Sequence, residues 1–202
     1  MGEMLVSLLR HGPTEANERG LYCGYGDPPL SESGRKLIED LRKEGIYPPP
    51  ADLYFTSGLL RAEETLTCLY GKVERWVIPG LREYHFGAFE MKSHDELSGL
   101  PDYQAWIQDT TGDVSCPGGE SLNEFTIRVK EAFDLLMSIA RKYHCHKATA
   151  MTHGGVIACI MDQLFPGIRN SYEWQPQRGC GYTLIYDERT IRGFMNIGTN
   201  KP

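Results

Sequence analysis

No stretch of the 202-residue sequence approaches the roughly 18 apolar residues that a membrane-spanning helix requires. The apolar run near the start, Met4 to Leu9, is too short for the core of a secretion signal, and no cationic segment precedes it. Excess positive charge is missing as well. With 21 Lys and Arg against 27 Asp and Glu, the net charge of −6 argues against a surface built for nucleic acid or anionic lipid. The cysteines (Cys23, Cys68, Cys116, Cys145, Cys159, Cys180) show no C-x-x-C pairing, so they read as reduced thiols of a cytoplasmic protein rather than a disulfide framework. No internal repeat or low-complexity linker divides the chain, which suits a single domain over residues 1–202. One local absence is as informative: between Ser93 and Ile127 there is no lysine or arginine, against seven acids.

What is present is an alternation of strand and helix patterns. Met4–Leu9 reads as a buried strand, and Ser31–Arg42 as a helix with Leu37, Ile38 and Leu41 on one face. Residues 53–57 read as a strand, Arg61–Tyr70 as a helix, and "VERWVIP" (73–79) as a third strand stopped by Pro79. Two serines with glutamate three residues on, Ser93/Glu96 and Ser121/Glu124, are capping boxes; the second starts a long amphipathic helix. "KATAMTHGG" (147–155) is a further strand, ending on His153 and running into a helix from Val156 to Phe165, and residues 181–187 and 191–197 form a terminal hairpin. The expected fold is α/β, a three-layer α/β/α sandwich with a mostly parallel central sheet and one antiparallel strand. Residues from about 84 to 120 are irregular and read as a lid-like insertion.

Ligands of open α/β sheets sit beyond the carboxyl ends of the parallel strands. Four loaded stretches fall at such ends: Arg10-His11, Ser57–Arg61, Leu81–Glu83 and His153-Gly154. Forked guanidinium donors match phosphate oxygens. An imidazole can take a phosphoryl group covalently, and a carboxyl group can protonate the departing oxygen and then deprotonate water. Gly154 and Gly155 open a helix whose free N–H groups favour an anion. Singly, each has a plainer reading as a solvated charge, a satisfied polar residue or a turn. The combination and its order carry the argument. "HCH" at 144–146 lacks further ligands at useful spacing, so no metal is expected there. His85 and His94 read as lid or surface residues.

That combination resembles the histidine phosphatase superfamily, which includes the cofactor-dependent phosphoglycerate mutases. "LLRHGPTEAN", "TSGLLRAEET", "LREYHFGAFE" and "MTHGGVI" match its motifs in order over nearly the whole chain. The resemblance implies that His11 becomes phosphorylated and that Arg10, Arg61 and His153 bind the phosphoryl oxygens. Asn17 and the Gly154 N–H would add donors, Thr14 would support the His11 loop or contact phosphate, and Glu83 would serve as acid and then base. It implies a small-molecule phosphate monoester as substrate, no cofactor or metal, no nucleic-acid or membrane partner, and leaves a homodimer open.

Within the family, a lid free of cations and rich in acids repels a substrate with a second anionic group. The arginine that mutases carry after the acid is Tyr84 here, and their later paired arginines are absent. The insertion is rich in flat side chains, most of which would pack it against the sheet. Tyr22, Cys23, Gly24, Tyr84 and Trp106 are the candidates for lining a pocket that takes an aromatic leaving group. "LYCGYGDPPLSESG", "LPDYQAWIQD" and "CPGGESLNEFTIRV" are similar to the α-ribazole phosphatase branch. A phosphoglycerate mutase and a broad-specificity sugar-phosphate phosphatase are the alternatives. Where many relatives have W-E-G after the acid, this chain has Phe89-Glu90-Met91, a change that bears on lid shape.

Overall fold

The computed structural model describes residues 3–188 and 190–198. Six strands form one sheet in the order β3-β2-β4-β1-β5-β6. They are β1 (Glu3–Arg10), β2 (Leu53–Thr56), β3 (Trp76–Val77), β4 (Lys147–Thr152), β5 (Gly181–Asp187) and β6 (Thr190–Ile197). Pairs β1/β4, β2/β4 and β2/β3 are parallel, whereas β5 is antiparallel to both β1 and β6. A single reversed strand in a mostly parallel sheet is the topology expected from the sequence.

Both faces of the central strands are buried, and their side chains alternate between two apolar cores. Met4, Val6 and Leu8 of β1 join a core with Val129, Phe133 and Leu136 of α6 (Leu122–Lys142) and Val156 and Ile160 of α7 (Gly154–Leu164). Leu9 faces the other way, onto Ile38 of α2 (Glu32–Lys43) and Ala62, Leu66 and Leu69 of α3 (Leu60–Tyr70). A short α1 (Glu15–Glu18) lies between β1 and α2. The 84–120 segment carries α4 (His94–Leu97) and α5 (Pro101–Ile107), and its Tyr84, Phe89, Leu97, Tyr103 and Cys116 share the first core rather than forming a separate one.

Both expected capping boxes close as read, with Ser93 and Ser121 accepting from the N–H of Glu96 and Glu124. Two expectations need correction. The strand over 73–79 shrinks to Trp76–Val77, because it is an edge strand with only β2 to pair with and Pro79 starts a 3-10 turn immediately after Ile78. The strand over 147–155 ends at Thr152, and the following helix starts at Gly154 rather than Val156, with His153 as its N-cap. The His144–His146 string forms the turn into β4, where Asp52 accepts the N–H groups of His146 and Lys147. Among the described residues, no helix is long and apolar enough to cross a membrane.

Candidate active site

Three parallel strands end at the same level. Arg10 pairs with Thr152 and Thr56 with Met151, so His11, Ser57 and His153 leave the sheet side by side. The His11 N–H stays on β4, donating to the Thr152 carbonyl at 3.0 Å, and the two imidazoles meet edge to face with centroids 5.1 Å apart. The stretch bearing Glu83 is held against the same strand end, because the Thr152 hydroxyl donates to the Leu81 carbonyl at 2.7 Å. Because α7 starts directly after His153, its unsatisfied N–H groups face the cluster. One of them, Gly155 N–H, donates to Glu83 Oε2 at 2.9 Å, while Tyr84 N–H donates to Oε1 at 3.0 Å.

The hydrogen bonds assign the tautomer of His11. A carbonyl can only accept, so His11 Nδ1, 2.6 Å from the Gly12 carbonyl, carries the proton. Nε2 therefore keeps its lone pair, which accepts from Arg61 Nε at 3.2 Å. Burial, and next the Arg61 charge, hold the His11 pKa well below its ordinary 6.5. His153 is lowered in the same way, by burial first and then Arg61 and His11. Ser57 Oγ accepts from Leu59 N–H and lies 2.8 Å from His153 Nε2. His153 Nδ1 is buried and, among the described residues, has no partner.

The cations are unusually bare. Arg61 is fully buried, and its guanidinium donates to His11 and to the carbonyls of Gly26 (2.7 Å), Gly24 (2.7 Å) and Cys23 (3.4 Å). One turn on in α3, Thr65 Oγ1 accepts from Gly12 N–H at 3.0 Å and donates to the Arg61 carbonyl, locking the helix to the histidine loop. Arg10 donates to the Pro176 carbonyl at 2.7 Å, but its buried Nε has no partner among the described residues. Burial, and then the neighbouring Arg178, lower the Arg10 pKa to about 10. Among the described residues, no carboxylate lies within ion-pair distance of Arg10, Arg61, Arg82 or Arg178. Buried cations held without a counter-ion cost free energy that an arriving anion recovers.

Thr14 and Asn17 turn out to be a capping box on α1: Asn17 Oδ1 accepts from Thr14 N–H, and Thr14 Oγ1 from Asn17 N–H. Asn17 therefore has its amide nitrogen left to offer. Tyr84 is buried in the first core, and Trp106 is partly buried against it. Trp106 Nε1 donates to Tyr84 Oη, which donates to the Glu120 carbonyl, and the Tyr22 and Tyr103 hydroxyls bond each other at 2.6 Å. Cys23 and Gly24 contribute carbonyls rather than side chains. At Gly24 a Cβ would lie 1.7 Å from the Tyr84 carbonyl oxygen, so only glycine fits.

Sequence reasoning did not single out Arg82, Arg128 or Arg178, and it named Glu90 only within the Phe89-Glu90-Met91 departure. Arg128 reaches from α6 to the carbonyls of Gly80, Arg82 and Glu83, with Glu120 as its ion-pair partner. The available signal was an arginine beside the apolar stripe of α6.

The profile of the histidine phosphatase superfamily, branch 1, matches residues 6–192. The chain belongs to that superfamily. Histidine phosphatases of this kind hydrolyse phosphate monoesters, and this chain is such a hydrolase. It is 31% identical to an adenosylcobalamin/alpha-ribazole phosphatase of Salmonella typhimurium, over 88% of each chain. A 2,3-bisphosphoglycerate-dependent phosphoglycerate mutase of Beijerinckia indica is also 31% identical, over 91% of each. Among solved structures, a candidate alpha-ribazole-5'-P phosphatase of Escherichia coli K-12 superposes with a TM-score of 0.84 at 25% identity, covering 98% of this chain and 97% of that one.

Proposed function

We propose that this histidine phosphatase transfers the phosphoryl group of a small monoester to His11 Nε2 and then to water, and that α-ribazole 5'-phosphate is its substrate. The observation that carries the chemistry is a neutral His11 whose unprotonated Nε2 faces the Arg61 guanidinium, which has no carboxylate partner among the described residues. In the first step the P–O ester bond breaks as the P–Nε2 bond forms, and the Glu83 carboxyl group gives its proton to the leaving oxygen. In the second, Glu83 takes a proton from water as the water oxygen attacks phosphorus and the P–Nε2 bond breaks, which returns His11 and releases inorganic phosphate. Arg10, Arg61, His153, the Asn17 amide and the Gly154 N–H bind the phosphoryl oxygens. Such transfers are accelerated chiefly by positioning and charge stabilisation.

The substrate assignment draws on the activity of the alpha-ribazole phosphatase relatives and on the cation-free, acidic insertion, which suits a leaving group without a second anion. Residues 84–120 act as the lid that selects it. The six cysteines are scattered along the chain without C-x-x-C pairing, which suits the cytoplasm. The test is phosphate release from α-ribazole 5'-phosphate, sugar phosphates and 3-phosphoglycerate by wild type and His11→Ala. We expect α-ribazole 5'-phosphate to give the highest kcat/KM, no phosphoglycerate interconversion, and radiolabel from the substrate trapped on His11. Equal turnover by His11→Ala would remove the nucleophile, and a better sugar phosphate would remove the substrate.

A further inference from the structure

We infer that Glu90, a lid residue outside the phosphoryl site, is the positioning residue for Arg61 and acts on it through the peptide groups of the 23–26 loop. The inference rests on the reading of Arg61 as a phosphoryl ligand. The Glu90 carboxylate accepts four backbone N–H groups: Gly24 (3.0 Å), Tyr25 (2.8 Å), Gly26 (3.2 Å) and Phe86 (3.1 Å). Three successive N–H groups converging on one anion form a nest. The carbonyls of the same loop point to the opposite side, where the Arg61 guanidinium takes those of Cys23, Gly24 and Gly26.

The pairing follows the covalent structure of the loop. The peptide group joining Cys23 to Gly24 gives its C=O to Arg61 and its N–H to Glu90. The next, joining Gly24 to Tyr25, does the same with its C=O at 2.7 Å and its N–H at 2.8 Å. Two peptide dipoles are thus aligned between a fully buried cation and an anion, each in its favourable sense. Arg61 has no carboxylate in ion-pair contact among the described residues, so Glu90 is its counter-charge at one remove. A direct carboxylate would occupy the donors that an incoming phosphoryl group needs. A counter-charge relayed through peptides holds the guanidinium and leaves its exchange with ligand oxygens open.

The relay also joins lid and site. Met91 N–H donates to the Tyr22 carbonyl at 2.7 Å, Tyr22 N–H to the Lys92 carbonyl at 3.0 Å, and Leu21 bridges Ser93. A lid displaced by substrate therefore moves the loop that sets Arg61.

The test is Glu90→Gln, which keeps the size but turns an amide donor toward N–H groups. It is measured alone and in an Arg61→Gln background, with p-nitrophenyl phosphate turnover and with inorganic phosphate as the binding probe in thermal unfolding. Alone, Glu90→Gln is expected to lower kcat/KM and phosphate affinity about tenfold or more, the scale of a misplaced binding group. In the Arg61→Gln background the same exchange should change kcat/KM by less than about threefold, because its target is already gone. Additive losses, or a single variant within threefold of wild type, would overturn the inference. Should Glu90→Gln not fold, Glu90→Asp, which keeps the charge but loses reach, is read by the same two criteria. If Arg61→Gln itself binds phosphate and turns over like wild type, the phosphoryl-site reading fails instead, which separates the two outcomes.

Discussion

Gly155→Ala probes the acid role of Glu83 without touching a reacting atom. A Cβ added at Gly155 would lie 2.4 Å from Glu83 Oε1 and 3.2 Å from its carboxyl carbon. Carbon–oxygen contacts settle near about 3.3 Å, so the carboxylate must withdraw by roughly 1 Å. It cannot do so and keep the Gly155 N–H bond at 2.9 Å. A misplacement of this size costs on the order of 100-fold in rate, or about 2.7 kcal/mol of barrier. The fold loses much less. A hydrogen bond to a charged group is worth about 1.5–3 kcal/mol, and alanine in place of glycine in a helix returns up to about 1 kcal/mol. The unfolding temperature should fall by only a few degrees, about 2–4 °C per kcal/mol at this size. The assay compares kcat/KM for an alkyl monoester, whose leaving oxygen needs a proton, with that for p-nitrophenyl phosphate, whose leaving group departs as the anion. We expect a loss of about 100-fold for the first and about tenfold or less for the second. Equal losses on both esters, or an alkyl-ester kcat/KM within threefold of wild type, would refute the assignment of Glu83 as proton donor.

The two buried histidines make stability depend on pH. Their folded pKa values lie well below the ordinary 6.5, so between the two values the unfolded chain binds more protons. Their contribution is fully present above pH 6.5 and declines as the pH falls toward the folded values, at up to about 1.4 kcal/mol per pH unit for each. Urea midpoints measured from pH 7.5 to 5 should show this slope, and His153→Asn should remove about half of it; an unchanged slope would contradict the assignment. Met91 has φ +59°, in the left-handed region that favours glycine. Met91→Gly should stabilise the fold by about 1 kcal/mol, the usual cost of that region to a non-glycine residue, and raise the unfolding temperature by a few degrees. A fall would show that the Met91 side chain, packed against the 24–26 loop, contributes more than its backbone costs.

The local chemistry of this protein was legible before any coordinates. Alternating strand and helix patterns specified the sandwich, because each segment's periodicity matches the face it buries. The capping boxes at Ser93 and Ser121 were readable because an N-cap bonds within four residues. His11, Arg61, Glu83 and His153 could be named because strand ends in a parallel sheet share one side. Interactions between segments far apart in sequence were not legible. Nothing local indicates that Arg61 takes the carbonyls of residues 23, 24 and 26, or that Glu90 takes the N–H groups of the same loop from the opposite side. An aromatic in an irregular segment has no period to show which way it faces; packing buries Tyr84 and leaves Trp106 partly exposed against it. The sequence by itself determined the fold class and the chemical groups available. Tertiary structure decided which of them are buried and paired, and so which histidine nitrogen is free and which guanidinium groups lack a carboxylate partner, because desolvation and hydrogen-bond geometry exist only once distant segments have closed around them.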